Sequence, residues 1–290
     1  MMRKIVTSLC CGAALALGLS CQPNEIILDS QPCEFPTDLS AYELSWSDEF
    51  EGTEINRDIW TFEIGDGCDR NLCGWGNNEL EWYTDRKANA RVSEGSLVIR
   101  ALKESTPFNG YDYTSARLVT KNKADFKYGR MDIRARLPKG KGLWPAIWML
   151  SSEEKYKTNY APFASWPASG EIDIMELLGD KPNEVLGTVH YGADAWKYKS
   201  AYFDGPDFSA DFHVFTLLWR ENCLRFMVDG ELYGDPISPS TTLPQGYPFN
   251  EYFHFILNVA VGGNLPGNPD ATTSFPQDMT VDYVRVYQEK

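Results

Sequence analysis

Positive charge is scarce in this chain. Across 290 residues, 27 Lys and Arg face 41 Asp and Glu, a formal net charge of −14. A negative field of that size repels phosphate and sulfate backbones, which excludes nucleic acid as a partner and weighs against sulfated polymers. Histidine is rarer still. The three histidines are scattered and no CxxC pair occurs, so a zinc site of the usual spacing is excluded. From Tyr42 onward there is no second linker, no low-complexity run, no internal repeat and no 3,4 apolar pattern sustained over four helical turns. Aromatics, by contrast, are abundant. Fifteen Tyr, fifteen Phe and nine Trp exclude a disordered chain and suit a well-buried core in one domain.

The N-terminus reads as an address. Residues 1–20 carry Arg3 and Lys4, then an apolar stretch (Ile5-Val6, Ala13 to Leu17) that ends in small residues, the pattern of a secretory signal. Its close, Leu17-Gly18-Leu19-Ser20-Cys21, is similar to a bacterial lipobox, although Gly18 stands where an apolar residue is usual. Two fates stay open: membrane anchoring through lipidated Cys21, or release as a free secreted protein. Removing residues 1–20 takes the charge to −16, because Arg3 and Lys4 leave with them. Residues 21–40 read as a polar tether, and 41–290 as the folded domain, expected to be monomeric. Export permits disulfides. Cys68 and Cys73 sit in a glycine-flanked loop that could bring them into bonding range, or leave them as unlinked thiols.

Short β-type runs recur between turn signals: 95–100, 129–136, 212–219 and 280–287, several with apolar residues at alternate positions. Val228-Asp229-Gly230-Glu231-Leu232 has the form of an Asp-Gly hairpin. Many strands without helices between them predict an all-β fold, an antiparallel sandwich.

One such run carries chemistry. Gly170-Glu171-Ile172-Asp173-Ile174-Met175-Glu176-Leu177 places three carboxylates among apolar neighbours. Glu171 and Asp173 share a face, whereas simple alternation would send Glu176 to the other side. A β-bulge near Met175 restores its parity, and bulges commonly re-aim a side chain beside an active site. Three like charges on one face are costly unless the face lines a wet cleft and a proton is retained among them.

This run resembles the active-site signature of glycoside hydrolase family 16 in its bulged, laminarinase-like form. Supporting blocks follow in family order: Trp46 to Phe50, Trp75 to Thr84, Gly142 to Leu150, Thr188 to Gly192, Leu257 to Gly263 and Val281 to Tyr287. The resemblance implies a β-jelly roll of two curved antiparallel sheets with a concave groove. It also implies a retaining endo-hydrolase of β-1,3-glucan (laminarin-type), extending to mixed β-1,3/1,4-glucan. Glu171 would be the nucleophile, Glu176 the acid/base, and Asp173 the group that keeps their pKa values apart. Trp144 and Trp148, four residues apart on one strand, would stack on sugar faces, with Trp166 as a further wall. His190 would lie beside the catalytic centre, or simply satisfy a buried hydrogen bond. Asn78 and Arg117 would donate to sugar hydroxyls, with a surface salt bridge as the alternative for Arg117. No cofactor is expected for catalysis. A structural Ca²⁺ would take oxygens from Glu49, Gly95 and Asp282. The same fold also serves agarases and carrageenases, glycosyl transfer to another sugar, and sensors that bind glycan without turnover, so these readings remain beside the glucanase.

Overall fold

Alternating runs of the sequence become paired strands in the computed structural model, which describes residues 33–152, 166–242 and 246–290. The signal segment, Cys21 and the first part of the tether lie outside the described residues. Eight strands form one sheet. Its main path runs Lys197–Asp204, Glu184–Tyr191, Glu171–Leu177, Leu143–Ser151, Phe253–Val261, Arg117–Val119 and Thr61–Phe62, with Asp125–Phe126 pairing beside Phe253–Val261. A ten-stranded sheet packs against it. The centre of that sheet is Gln277–Glu289, flanked by Gly129–Arg136 and Ser96–Phe108. Among the described residues, strand pairing is antiparallel except between Glu81–Tyr83 and Tyr111–Ser115. The two sheets make a jelly-roll sandwich, as the all-β reading expected.

Period 2 decides what each strand buries. On Leu143–Ser151, Leu143, Ile147 and Met149 enter the core while Trp144 and Trp148 stay half-buried on the opposite face. On Phe253–Val261, the odd-numbered residues enter the core, and His254, Ile256, Asn258 and Ala260 occupy the other face. From the ten-stranded sheet, Leu97, Ile99, Met131, Ile133, Phe215, Leu217 and Trp219 close the interior. Each large apolar side chain removed from water here contributes about 1.5–3 kcal/mol against the entropy of chain ordering. Gly187 shows how closely the layers meet, since a Cβ there would lie 2.6 Å from the Phe226 ring.

The last strand shows how bulges rewrite parity. Val281 and Val284, an odd number of residues apart, are both in the core, because the register against Gly129–Arg136 shifts between Val281 and Tyr283. The predicted hairpin is present: Asp229 and Gly230 both adopt positive φ, 48° and 88°, between Cys223–Val228 and Glu231–Ile237.

Two disulfides staple the sandwich. Cys68 and Cys73 are joined, with Cα atoms 4.0 Å apart. Cys33 pairs with Cys223, a partnership that sequence reading did not make, across a separation of 190 residues. The described part of the expected tether is therefore fastened down from Cys33 onward. Arg220 lies over the Phe35 ring, Tyr42 donates to the Pro36 carbonyl, and Arg130 donates to that of Thr37.

Candidate active site

The acid-bearing strand Glu171–Leu177 is launched by Gly170, whose φ of +86° suits glycine and whose missing Cβ leaves room for Phe249 and Phe253. Ile172, Ile174, Met175 and Leu177 enter the core. Between Asp173 and Glu176 the strand has two residues, whereas the facing stretches Trp148 to Ala146 and Thr188 to Leu186 have one. That extra residue is the expected bulge. It returns Glu176 to the face that Glu171 and Asp173 share.

Register supplies the neighbours. Glu171 stands opposite His190, and Asp173 opposite both Thr188 and Trp148. Each glutamate is held by an indole. Trp166 donates to Glu171 Oε2 at 2.7 Å, and Trp144 donates to Glu176 Oε1 at 2.9 Å. His190 Nε2 lies 3.3 Å from Asp173 Oδ2 and 3.8 Å from Glu171 Oε1. The 3.3 Å contact does not meet hydrogen-bond geometry, and among the described residues Asp173 Oδ2 is buried without a hydrogen-bonding partner.

Burial raises the pKa of all three carboxyl groups. For Glu171 it acts first and the Asp173 charge second; for Asp173 burial leads and the Glu176 charge follows; for Glu176 burial outweighs the opposing hydrogen bond from Trp144. Three acids this close do not all ionise together near neutral pH. The cluster retains proton between a charged and an uncharged carboxyl, the division of labour that a nucleophile and a proton donor need.

Behind the groove runs a relay that sequence reading missed. Trp148 donates to Asn258 Oδ1 at 2.7 Å, Asn258 donates to the Tyr83 hydroxyl at 3.0 Å, and Tyr83 donates to Glu79 Oε2 at 3.1 Å. Glu79 also accepts from Asn77, in the turn that precedes Asn78. Glu81 is fully buried beside it and accepts from the Val261 N–H at 2.6 Å; burial and then the Glu79 charge push its pKa up. Arg117 is buried at 8% exposure, with its guanidinium over the rings of Trp75 and Trp148 at 4.3 and 4.7 Å. It donates to Glu63 at 2.6 Å. Arg117 thus braces Trp148 through a buried ion pair, where the sequence suggested a sugar contact or a surface salt bridge.

Asn78 is exposed in a left-handed conformation and donates to Asn264 Oδ1 at 2.8 Å. The loop of Asn264 brings the Gly263 backbone against the Trp144 ring. Around His190 stand three more rings: Trp166, Trp196 and Tyr198, with centroids 5.7–6.2 Å from the imidazole. All three are more than half exposed. Trp196 and Tyr198 were not singled out from sequence, although Tyr198 is register-paired with His190.

The calcium set lies apart from this face. Glu49 makes a two-point pair with Arg285 at 2.9 and 2.8 Å, and Asp282 pairs with Arg134 at 2.6 Å.

Buried acids aimed into a face walled by exposed indoles, with no cofactor needed for the chemistry, define a glycoside hydrolase. The family model for glycosyl hydrolases family 16 matches residues 76–285, and the chain belongs to that family. A beta-glucanase of Rhodothermus marinus is 43% identical over 260 residues, covering 85% of each chain. The glucan endo-1,3-beta-glucosidase A1 of Niallia circulans is 40% identical over 276 residues; the match covers 88% of this chain and spans 39% of that longer protein. The laminarinase catalytic domain of Thermotoga maritima superposes with a TM-score of 0.77 at 45% identity, over 86% of this chain and 99% of that one.

Proposed function

We propose that this chain is a retaining endo-β-1,3-glucanase that also accepts mixed β-1,3/1,4-glucan. The observation that carries the reading is the pair Glu171 and Glu176, turned to one face by the bulge and each held by its own indole. Glu171 attacks the anomeric carbon as the bond to the departing sugar oxygen breaks, and Glu176 gives that oxygen its proton. Glu176 then takes a proton from water, whose oxygen attacks the same carbon and releases the Glu171 carboxylate. Two inversions give net retention. Asp173 lies between the two glutamates, its pKa raised by burial and then by the Glu176 charge, and His190 faces Asp173 and Glu171.

Trp144, Trp148, Trp166, Trp196 and Tyr198 offer apolar faces to sugar C–H surfaces, and Asn78 and Asn264 offer polar atoms at the rim. The net negative charge and the acidic floor favour a neutral glucan over a sulfated galactan. The names of the three relatives given above point to a glucan as well. Both glutamates are in place, which favours turnover over a purely binding role.

Export accords with two disulfides, which persist in oxidising compartments. In this reading the chain is displayed at the cell surface or in the periplasm through lipidated Cys21, or secreted free. Among the described residues no helix is long and apolar enough to cross a membrane. A structural Ca²⁺ fits poorly at Glu49, Gly95 and Asp282. The donors are suitably hard, but both carboxylates already face guanidinium groups that the cation would have to displace.

Purified residues 22–290 should release new reducing ends from laminarin, more slowly from barley mixed-linkage glucan, and not from agarose or κ-carrageenan. Glu171→Gln should lower the laminarin rate by at least about 10³-fold, as loss of a covalent nucleophile does. Cleavage of a galactan alone would overturn the glucan assignment. Laminarin binding without cleavage would make the chain a sensor.

A further inference from the structure

Trp196 gives its indole N–H to His190 rather than to any of the three acids, yet it constrains them. Its indole Nε1 lies 2.9 Å from His190 Nδ1, and the two rings stack with an interplanar angle of 19°. An indole nitrogen donates and never accepts. The contact therefore exists only while His190 Nδ1 presents its lone pair, which in a neutral imidazole puts the proton on Nε2. Nε2 is the atom that faces Asp173 Oδ2 and Glu171 Oε1.

The alternatives are worse on both sides of the ring. An Nδ1–H tautomer would oppose two N–H groups at the Trp196 end and aim a lone pair at two carboxylates at the other. An imidazolium would keep the first clash. A metal ion meets the same obstacle. Glu171, Asp173 and His190 bring ligand atoms within 4.8 Å of one another, but a cation on Nε2 would force the proton to Nδ1, against the indole.

We infer that Trp196 is a positioning residue: it holds His190 as the neutral Nε2–H tautomer, so that one N–H is presented to the Asp173–Glu171 pair throughout the reaction. A neutral donor here serves both halves of the cycle. While Glu171 is ionised the N–H lies near two carboxylates. Once Glu171 is esterified to the sugar, the same N–H still faces Asp173 Oδ2, which is buried with no hydrogen-bonding partner among the described residues. The catalytic consequence rests on the proposed function; the tautomer does not.

The test uses the whole secreted chain labelled with ¹⁵N-histidine, with His190→Gln identifying the His190 signals among those of the three histidines. Wild type should show a bare Nδ1 and a protonated Nε2. Trp196→Phe keeps an aromatic ring and removes the N–H at a side chain 54% exposed, so the fold should survive. In that variant the two tautomers should mix, and kcat on laminarin should fall about three- to tenfold with KM within about twofold, the scale of one hydrogen bond. In the His190→Gln background, Trp196→Phe should change kcat by less than about twofold, because the two residues act as one unit. A protonated Nδ1 in wild type, an unchanged tautomer in Trp196→Phe, or the same kcat loss in both backgrounds would overturn the inference. A rise in KM with the tautomer intact would do so too, leaving Trp196 as a sugar platform. If the chain cut no glucan at all, the proposed function would fail, while the nitrogen spectra would still decide the tautomer.

Discussion

The two indoles that hold the glutamates should control opposite limbs of the pH–rate profile. Trp144 donates to Glu176 Oε1 and Trp166 to Glu171 Oε2. A hydrogen bond to an ionised carboxylate favours the ion, so removing it raises the carboxyl pKa further. A bond of this type contributes roughly 1.5–3 kcal/mol. Glu176 also keeps a stabilising hydrogen bond from Thr188, so about half that range is lost in Trp144→Phe, or about one pKa unit. Trp166 is half exposed, and water can replace its N–H in Trp166→Phe; about half a unit is expected there.

The directions follow from the proposed roles, Glu171 as nucleophile and Glu176 as proton donor. Glu176 must be protonated to release the leaving sugar, so Trp144→Phe should carry the alkaline limb of kcat/KM upward by about one pH unit and leave the acid limb in place. Glu171 must be ionised to attack, so Trp166→Phe should move the acid limb upward by about half a unit and narrow the profile. Initial rates on laminarin between about pH 4 and pH 9, below saturation, read both limbs as properties of the free enzyme. The acids are close enough to titrate together, so the limbs report the cluster, and the comparison between variants carries the argument. A limb that moves down, or Trp144→Phe acting on the acid side, would refute the assignment of donor and nucleophile.

Asp173→Asn should cut kcat at least about tenfold and stabilise the fold. The folded pKa of Asp173 is raised by burial and then by Glu176, so its stabilising contribution is complete below the unfolded value and is lost as pH rises through the folded one. At pH 7 the substitution should raise Tm by about 2–6 °C in a thermal scan, with the gain vanishing near about pH 4; a lower Tm at pH 7 would contradict it. Cys33→Ser with Cys223→Ser opens a separation of 190 residues, against 5 for Cys68 and Cys73. Loop entropy assigns about 5 and about 2 kcal/mol to the two closures, so the first pair should lower Tm more, with activity at 25 °C retained; equal or reversed losses would contradict the entropic account.

How much of this was legible in the sequence depended on whether a residue's role is local. Strand identity and the odd spacing of Glu176 are local, so alternation alone called for a bulge near Met175, and the register shift is there. The Trp144–Glu176 and Trp166–Glu171 bonds were half visible: the residues could be chosen, but the direction of an indole N–H depends on its rotamer. Cys33 with Cys223 was invisible, because sequence separation carries no information about which strand ends meet. Arg117 shows a sharper limit. Motif position placed it near sugar, and the structure spends its charge on Glu63 between Trp75 and Trp148, since a buried guanidinium must find its carboxylate wherever the fold puts one. Glu79 and Glu81, two acids in an ordinary amphipathic stretch, gave no sign that both would be buried.

Of those two buried acids, Glu79 anchors the chain of hydrogen bonds that orients Trp148. Trp148 faces Asp173 across the strand pair, so any swing of its ring would change the cavity in which three carboxyl groups share proton. Its N–H is tied through Asn258 and Tyr83 to Glu79, and its ring lies against Arg117, which Glu63 holds in turn. Such a polar network costs desolvation and gives little net stability. What it provides is a single orientation for one indole. The same economy governs Trp144, Trp166 and Trp196, each tied by its N–H to a glutamate or to the histidine. In the proposed mechanism tryptophan acts twice: the ring offers a surface to sugar, and the nitrogen sets the charge or the tautomer of the group that performs the chemistry. Phenylalanine at these positions would keep the first role and lose the second, so the four Trp→Phe variants should separate binding from proton placement more cleanly than alanine can.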